Sequence, residues 1–373
     1  MQVWTPGFKR YLAGYALQVT AWTLAVVTAP FLALAAGESW LTAGVVLGLA
    51  PRLLVPLLGG SLSRAPAAWL AAASLLAAGA CGAALLGASA ASGPLALLLY
   101  LALGGSSAAE GVLAPVFVQV SVGPDDRLRA NATVAALSMG LPALLAPLAG
   151  WLAEQLGTAW TLGPAAVFFL LRALSLRGLP AAGEPAGRKA QKVQREKLSD
   201  LWPYALSLLA VATALGYLQV KLPVLLQARG LGAAALGVYN GAFSAGMLSG
   251  AALAWLGARR PGAVRGLGFA AAALGLACLA LPRVGVITAA AAALGFGLAG
   301  LQSLGVTILQ KRLVGGVLTA VTAGLTSLTA LAMVAGGLAA GSLDGVWNPG
   351  LLLGLALAAA IAAVGVLPAG RRP

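Results

Sequence analysis

Residues 178–200 read GLPAAGEPAGRKAQKVQREKLSD and form the one sizeable hydrophilic stretch in a chain of 373 residues. The stretch opens as a Pro/Gly loop through Leu179, Pro180, Gly183, Pro185 and Gly187. It then turns basic and helix-compatible through Arg188, Lys189, Lys192, Arg195 and Lys197. Six long apolar segments precede it, at 11–36, 41–62, 67–89, 94–121, 130–156 and 159–178. Six more follow, at 201–227, 231–257, 263–281, 285–309, 315–342 and 347–368. Each is long enough, at about 1.5 Å per residue, to cross about 30 Å of hydrocarbon. The pattern predicts an all-α integral membrane protein with twelve transmembrane helices in two six-helix bundles, 1–178 and 201–373, joined by a cytoplasmic basic linker at 179–200. The linker reads as a solvated segment lying against anionic headgroups, with a regulatory binding site as the alternative.

Moving outward, the cations fall in every second gap. Lys9, Arg10, Arg64, Arg127, Arg129, the 188–197 cluster, Arg259, Arg260, Arg265, Lys311, Arg312, Arg371 and Arg372 lie on one side. The alternate gaps hold Glu38, Arg229, Arg283 and Asp344. By the positive-inside rule both termini are cytoplasmic, and a prokaryotic location is the inner membrane. A composition of 60% hydrophobic and 9% charged residues cannot cover a water-facing surface. The net charge of +14 is spread over short loops, so topology explains it better than nucleic-acid binding does. Ala33, Ala35 and Ala36 resemble a signal-peptide cleavage site, but the first apolar run is too long for an h-region and reads as a retained helix.

Cys81 and Cys278 lie inside the third and ninth segments and suggest neither a disulfide framework nor a metal. The chain contains no histidine, which removes the usual near-neutral titrating group and the commonest transition-metal ligand. No cofactor is expected. Residues 145–153 (LAPLAGWLA) align with 331–339 (LAMVAGGLA) at an offset of 186, and basic loops recur at matching places, which predicts two parallel halves. Fifty glycines suit closely packed helices, and the four-residue spacings Gly246/Gly250 and Gly337/Gly341 read as packing positions. Trp40, Trp69, Trp160, Trp202, Trp255 and Trp347 lie near segment ends, as headgroup anchors do.

An ionisable group at mid-membrane costs at least about 2.5–3.5 kcal/mol on insertion scales and calls for a reason. Arg52 lies about 18 Å into the second segment, and Glu110 about 24 Å along the fourth, with Ser106 and Ser107 on its face. Lys221 is nearer the outer end of the seventh, with Tyr217 one turn away. Glu154 and Arg172 stand close enough to segment ends to reach an interface, and on that ground are not candidates. Arg52 and Glu110 read either as a structural ion pair or as part of a water-filled path, and Lys221 either as snorkelling or as facing that path. In the functional reading Gln18, Trp22, Arg52, Glu110, Tyr217, Lys221, Asn240 and Gln302 line a substrate site, and Glu110 is the proton carrier. Ser303, Thr307, Tyr239, Phe243 and the stripe Thr319, Thr322, Thr326, Thr329 complete the polar inventory; threonine also satisfies itself on its own helix.

The six-plus-six arrangement with a basic central loop resembles the major facilitator superfamily of secondary transporters over nearly the whole chain. Residues 124–132 (PDDRLRANA) look like the loop before the fifth helix in prokaryotic exporters of the enterobactin-exporter type, a drug-efflux-like group. Leu222-Pro223-Val224-Leu225-Leu226, Gly232 and Gly237-Val238-Tyr239 are similar to the same group. The chain departs from the pattern at Gly59–Pro66, where the usual aspartate is missing, and at Ala146–Gly150, where the antiporter Gly-Pro pattern is only partly present. Glu110 also stands where such exporters often rely on an arginine farther along the helix. The resemblance implies a non-enzymatic, monomeric carrier working by alternating access at a midplane site on spans 1, 4, 7 and 10. Its expected partners are an amphiphilic or anionic small molecule, membrane lipids and H+ as coupling ion. Without a Gly-x-x-x-x-Gly-Lys-Ser/Thr loop, the driving force is an ion gradient or the substrate's own. An uptake symporter, a uniporter and a lysolipid carrier are alternatives of the same fold. A polytopic membrane enzyme is a remote one, because Asp125-Asp126 is the only acidic pair.

Overall fold

Twelve helices organise the chain in the computed structural model, which describes residues 4–87, 92–122, 127–177, 202–256, 261–312, 316–343 and 347–366. The basic linker, Pro124–Asp126, Arg259, Arg260, Asp344, Arg371 and Arg372 lie outside the described residues. The first six helices are α1 (Pro6–Ala36), α2 (Glu38–Arg64), α3 (Pro66–Leu86), α4 (Gly93–Ser121), α5 (Arg127–Leu156) and α6 (Ala159–Ser175). The second six are α7 (Trp202–Ala228), α8 (Ala233–Leu256), α9 (Pro261–Leu279), α10 (Val284–Arg312), α11 (Gly316–Ser342) and α12 (Pro349–Val366). Among the described residues, seven helical segments are long and apolar enough to cross a membrane, and three shorter apolar helices accompany them.

Local chemistry sets the helix ends. Thr5 caps α1, its hydroxyl accepting from the Phe8 N–H at 3.2 Å, and Pro6 opens the helix where no intrahelical donor is needed. Gly37, at φ +129°, stops α1 and lets the chain reverse directly into α2, a conformation an L side chain resists. Glu38 then sits in the first turn of α2, where the helix dipole favours an acid.

Cα proximity divides the chain into two compact units: Met1–Lys189 with Leu222–Val238, and Ala190–Lys221 with Tyr239–Pro373. In the first unit α1 packs against α2, α4, α5 and α6, and α3 packs against α4 and α6. One apolar cluster runs through Leu24, Val27, Cys81, Leu99, Leu162 and Phe169, and another through Phe8, Tyr11, Leu70, Leu113 and Phe117. The start of α8 joins this unit because its backbone meets α5 closely: Gly150 lies against the Ala233 carbonyl and Gly237 against that of Ala146. Glu154, exposed near the end of α5, accepts the Ala234 N–H at 3.0 Å in the first turn of α8.

Glycine lets helices approach until backbones touch, which is how packing replaces the hydrophobic drive that lipid does not supply. In the first unit Gly104 of α4 faces the Gly48 carbonyl of α2. In the second, Gly246 and Gly250 of α8 meet the Ala292 and Phe296 backbone of α10, as the four-residue spacing predicts. On α11 it is Gly336 that rests on the Thr213 carbonyl of α7. The aligned pair Gly150 and Gly336 thus serve contacts with different neighbours, α8 and α7. In the second unit α9 also packs against α10 and α12.

Candidate functional site: a polar seam on α4

Three residues of α4 carry the polar core of the first unit. Ser106, Ser107 and Glu110 stand at i, i+1 and i+4, so they spread over a narrow arc of the helix and reach different neighbours. Ser106, 2% exposed, accepts a hydrogen bond from the Gln18 amide of α1, and the Ser74 hydroxyl of α3 donates to the Gln18 carbonyl oxygen at 3.4 Å. Ser107 accepts from an Arg52 guanidinium nitrogen of α2 at 2.9 Å. The Gly48/Gly104 contact lies one turn from this bond on both helices, so the glycine pair holds Arg52 and Ser107 within reach.

Glu110 is where the structure departs most from expectation. The cation paired with it is Arg172 of α6, Nη2 to Oε2 at 3.0 Å, rather than Arg52. Its other oxygen accepts from the Tyr11 hydroxyl at 2.7 Å. Arg172 was set aside as able to reach an interface, yet it is fully buried, and its Nη1 donates to the Tyr11 carbonyl oxygen at 3.2 Å. The guanidinium also lies 5.2 Å from the centre of the Tyr11 ring, which stacks on Phe117. Gly14, one turn along α1, makes the room: a Cβ there would overlap Ser175 Oγ and stand 2.6 Å from Arg172 Nη1.

The proton-carrier reading of Glu110 required burial without a close cation. Arg172 supplies that cation, and both carboxylate oxygens are engaged, so the structural role is the one this geometry fits. Tyr11 and Arg172 are the residues that sequence reasoning missed. The available signal was a cation directly after the apolar run Phe168-Phe169-Leu170-Leu171 and before Ala173-Leu174, within one apolar segment.

The remaining nominated residues belong to other parts of the two units. Trp22 is partly buried against the Leu24 cluster of the first unit. In the second unit Lys221 is only 5% exposed, so its side chain lies inside the protein rather than snorkelling along its surface. Tyr217 is fully buried and anchors the start of α12. Its hydroxyl accepts the Asn348 N–H at 2.6 Å, its ring packs edge-on to Trp347, and Asn348 caps α12 through the Leu351 N–H. Trp347, expected at the headgroups, donates its indole N–H to the Leu279 carbonyl at 2.9 Å. Asn240 is partly buried and Gln302 exposed, while the side chains of Ser303, Thr307, Thr319 and Thr322 lie outside the described residues. Tyr217→Phe should lower the stability of purified protein by about 0.5–1.5 kcal/mol, the net worth of one hydrogen bond, read as a fall in unfolding midpoint.

No family model matches the chain, and no curated protein matches it by sequence. Solved structures do match in fold. A bacterial homologue of the iron transporter ferroportin, in an inward-facing state, is 19% identical with a TM-score of 0.68 over 96% of this chain and 97% of that one. A D-xylose-proton symporter is 14% identical with a TM-score of 0.69 over 97% of each chain. The human organic anion transporter MFSD10 (TETRAN) is 16% identical with a TM-score of 0.67, over 97% of this chain and 100% of that one. This chain has the major facilitator fold. The three structures share it while their cargoes differ, so the fold by itself names no substrate.

Proposed function

We propose that this protein is a secondary active transporter that exports a small anionic or amphiphilic organic molecule across the inner membrane by alternating access. The observation that carries the reading is the α4 seam. A major facilitator fold that retains an arginine, a glutamine and two serines clustered at membrane depth does so at a cost that ligand recognition offsets. Arg52 is the residue we assign to an anionic substrate group, with Ser107, Ser106 and Gln18 beside it. The absence of histidine, together with nine acidic residues in all, favours an organic cargo over a divalent metal. Export over uptake is supported by the likeness of residues 124–132 to exporter loops. The organisation as two six-helix halves, 1–178 and 201–373, with both termini cytoplasmic and a monomeric state, belongs to the same reading.

A proton is the favoured coupling ion, but the pairing of Glu110 with Arg172 argues against passing it through that carboxylate. An efflux screen of cells with and without the protein identifies a responding compound, whose flux is then measured in proteoliposomes. Arg52→Ala should raise the half-saturating concentration on the order of tenfold to hundredfold, the worth of a charge-assisted hydrogen bond. Arg64→Ala, at the end of α2, should leave it within about twofold, as a loop charge outside the site would. Equal flux in wild type and Arg52→Ala would remove Arg52 from the site. Movement of a fluorescent lysolipid in place of any organic anion would reassign the cargo.

A further inference from the structure

We infer that Arg172 is a positioning residue: through Glu110 it sets the rotation of α4 about its own axis, and so decides whether Ser106 and Ser107 face Gln18 and Arg52. This builds on the functional reading of the seam, but the test below reads geometry rather than transport, so the two can fail separately.

The argument rests on where α4 is held. Ser106 and Ser107 bond to amide and guanidinium groups on long side chains, which follow modest helix movements. Such rungs report the position of α4 without enforcing it. The Glu110 rung is different. Its carboxylate is clamped between Tyr11 and Arg172, and Arg172 is fixed in turn by the Tyr11 main-chain carbonyl, a point that side-chain rotation cannot move. Arg172 is buried completely, so its guanidinium has no aqueous rotamer to escape to. The linkage therefore runs from the α1 backbone through Arg172 to Glu110, and Glu110 lies one turn from Ser106.

Two consequences follow from the chemistry. A lysine at 172 reaches one partner where the guanidinium reaches both the carboxylate and the carbonyl, so charge alone does not restore the linkage. Gly14 matters for a related reason, because a methyl group there crowds both Ser175 Oγ and the guanidinium without removing any charge.

The test uses the full-length protein in detergent with Cys278→Ala and Ser106→Cys, labelled with N-ethylmaleimide and mapped by peptide mass spectrometry. Native Cys81 is fully buried in the same unit and serves as the internal control for unfolding. With Arg172 present, both thiols should be protected. In Arg172→Ala and Arg172→Lys, position 106 should label more than about tenfold faster while Cys81 stays protected, as release of a buried, paired group predicts. If Cys81 also labels in Arg172→Ala, the fold has been lost in that variant. Gly14→Ala, which keeps every charge, then decides by the same criterion. Unchanged protection of position 106 in the folded variants would overturn the inference.

Discussion

Arg172→Leu should destabilise the protein by about 3–5 kcal/mol, because it leaves the Glu110 carboxyl group buried without its cation. Glu110→Leu should cost a similar amount for the reciprocal reason. The informative variant is the pair: with both groups replaced by leucine no charge is stranded, and much of the lost stability should return. Denaturant unfolding of the purified protein, read as a double-mutant cycle, measures the coupling directly. A neutral Arg172→Leu, or a double variant whose loss is the sum of the singles, would show that the two residues do not act as a unit. Tyr11→Phe makes a useful intermediate case, since it removes one hydrogen bond to the carboxylate while leaving the ion pair.

Gly104→Ala should produce the second large effect. Its added Cβ would land on the Gly48 carbonyl, a backbone atom that cannot rotate away, so α2 and α4 must separate. Overpacking of this kind costs about 1–3 kcal/mol. Gly79→Ala on α3 is the matched control, because a Cβ there meets nothing within 4 Å and, alanine being the better helix former, the variant should keep or slightly raise the unfolding midpoint. The separation also lengthens the reach from Arg52 to Ser107. Gly104→Ala should therefore raise the half-saturating substrate concentration in the same direction as Arg52→Ala, whereas Gly79→Ala should not. Equal stability of the two glycine variants would mean that the α2/α4 contact is looser than the structure has it.

How much of this could be read without coordinates depended on whether the property runs along the chain or across it. Helix existence runs along it. A bilayer leaves no partner for an exposed peptide group, so an apolar run of sufficient length has to become a helix. The apolar segments accordingly coincide with α1–α12, with ends that differ by a few residues where Pro6, Glu38 and Pro261 open helices earlier than hydropathy alone suggests. Position within an apolar run also reads along the chain, and of the three ionisable residues inside such runs Arg52 is partly buried while Glu110 and Lys221 are buried.

Lateral partners do not run along the chain. Arg172 was set apart because depth counts residues from a helix end, and by that count it had an interface within reach. Only the packing of α6 on α1, with Gly14 opening a slot, turned it inward to Glu110. Tyr217 shows the same limit in reverse: its place beside Lys221 suggested a lining residue, while its hydroxyl is taken by the backbone before α12. The amino-acid sequence by itself determined that this chain forms long apolar helices and where along the chain they fall. The tertiary structure alone decided which polar groups meet, because a side chain's direction around its helix acquires meaning only when neighbouring helices take their places.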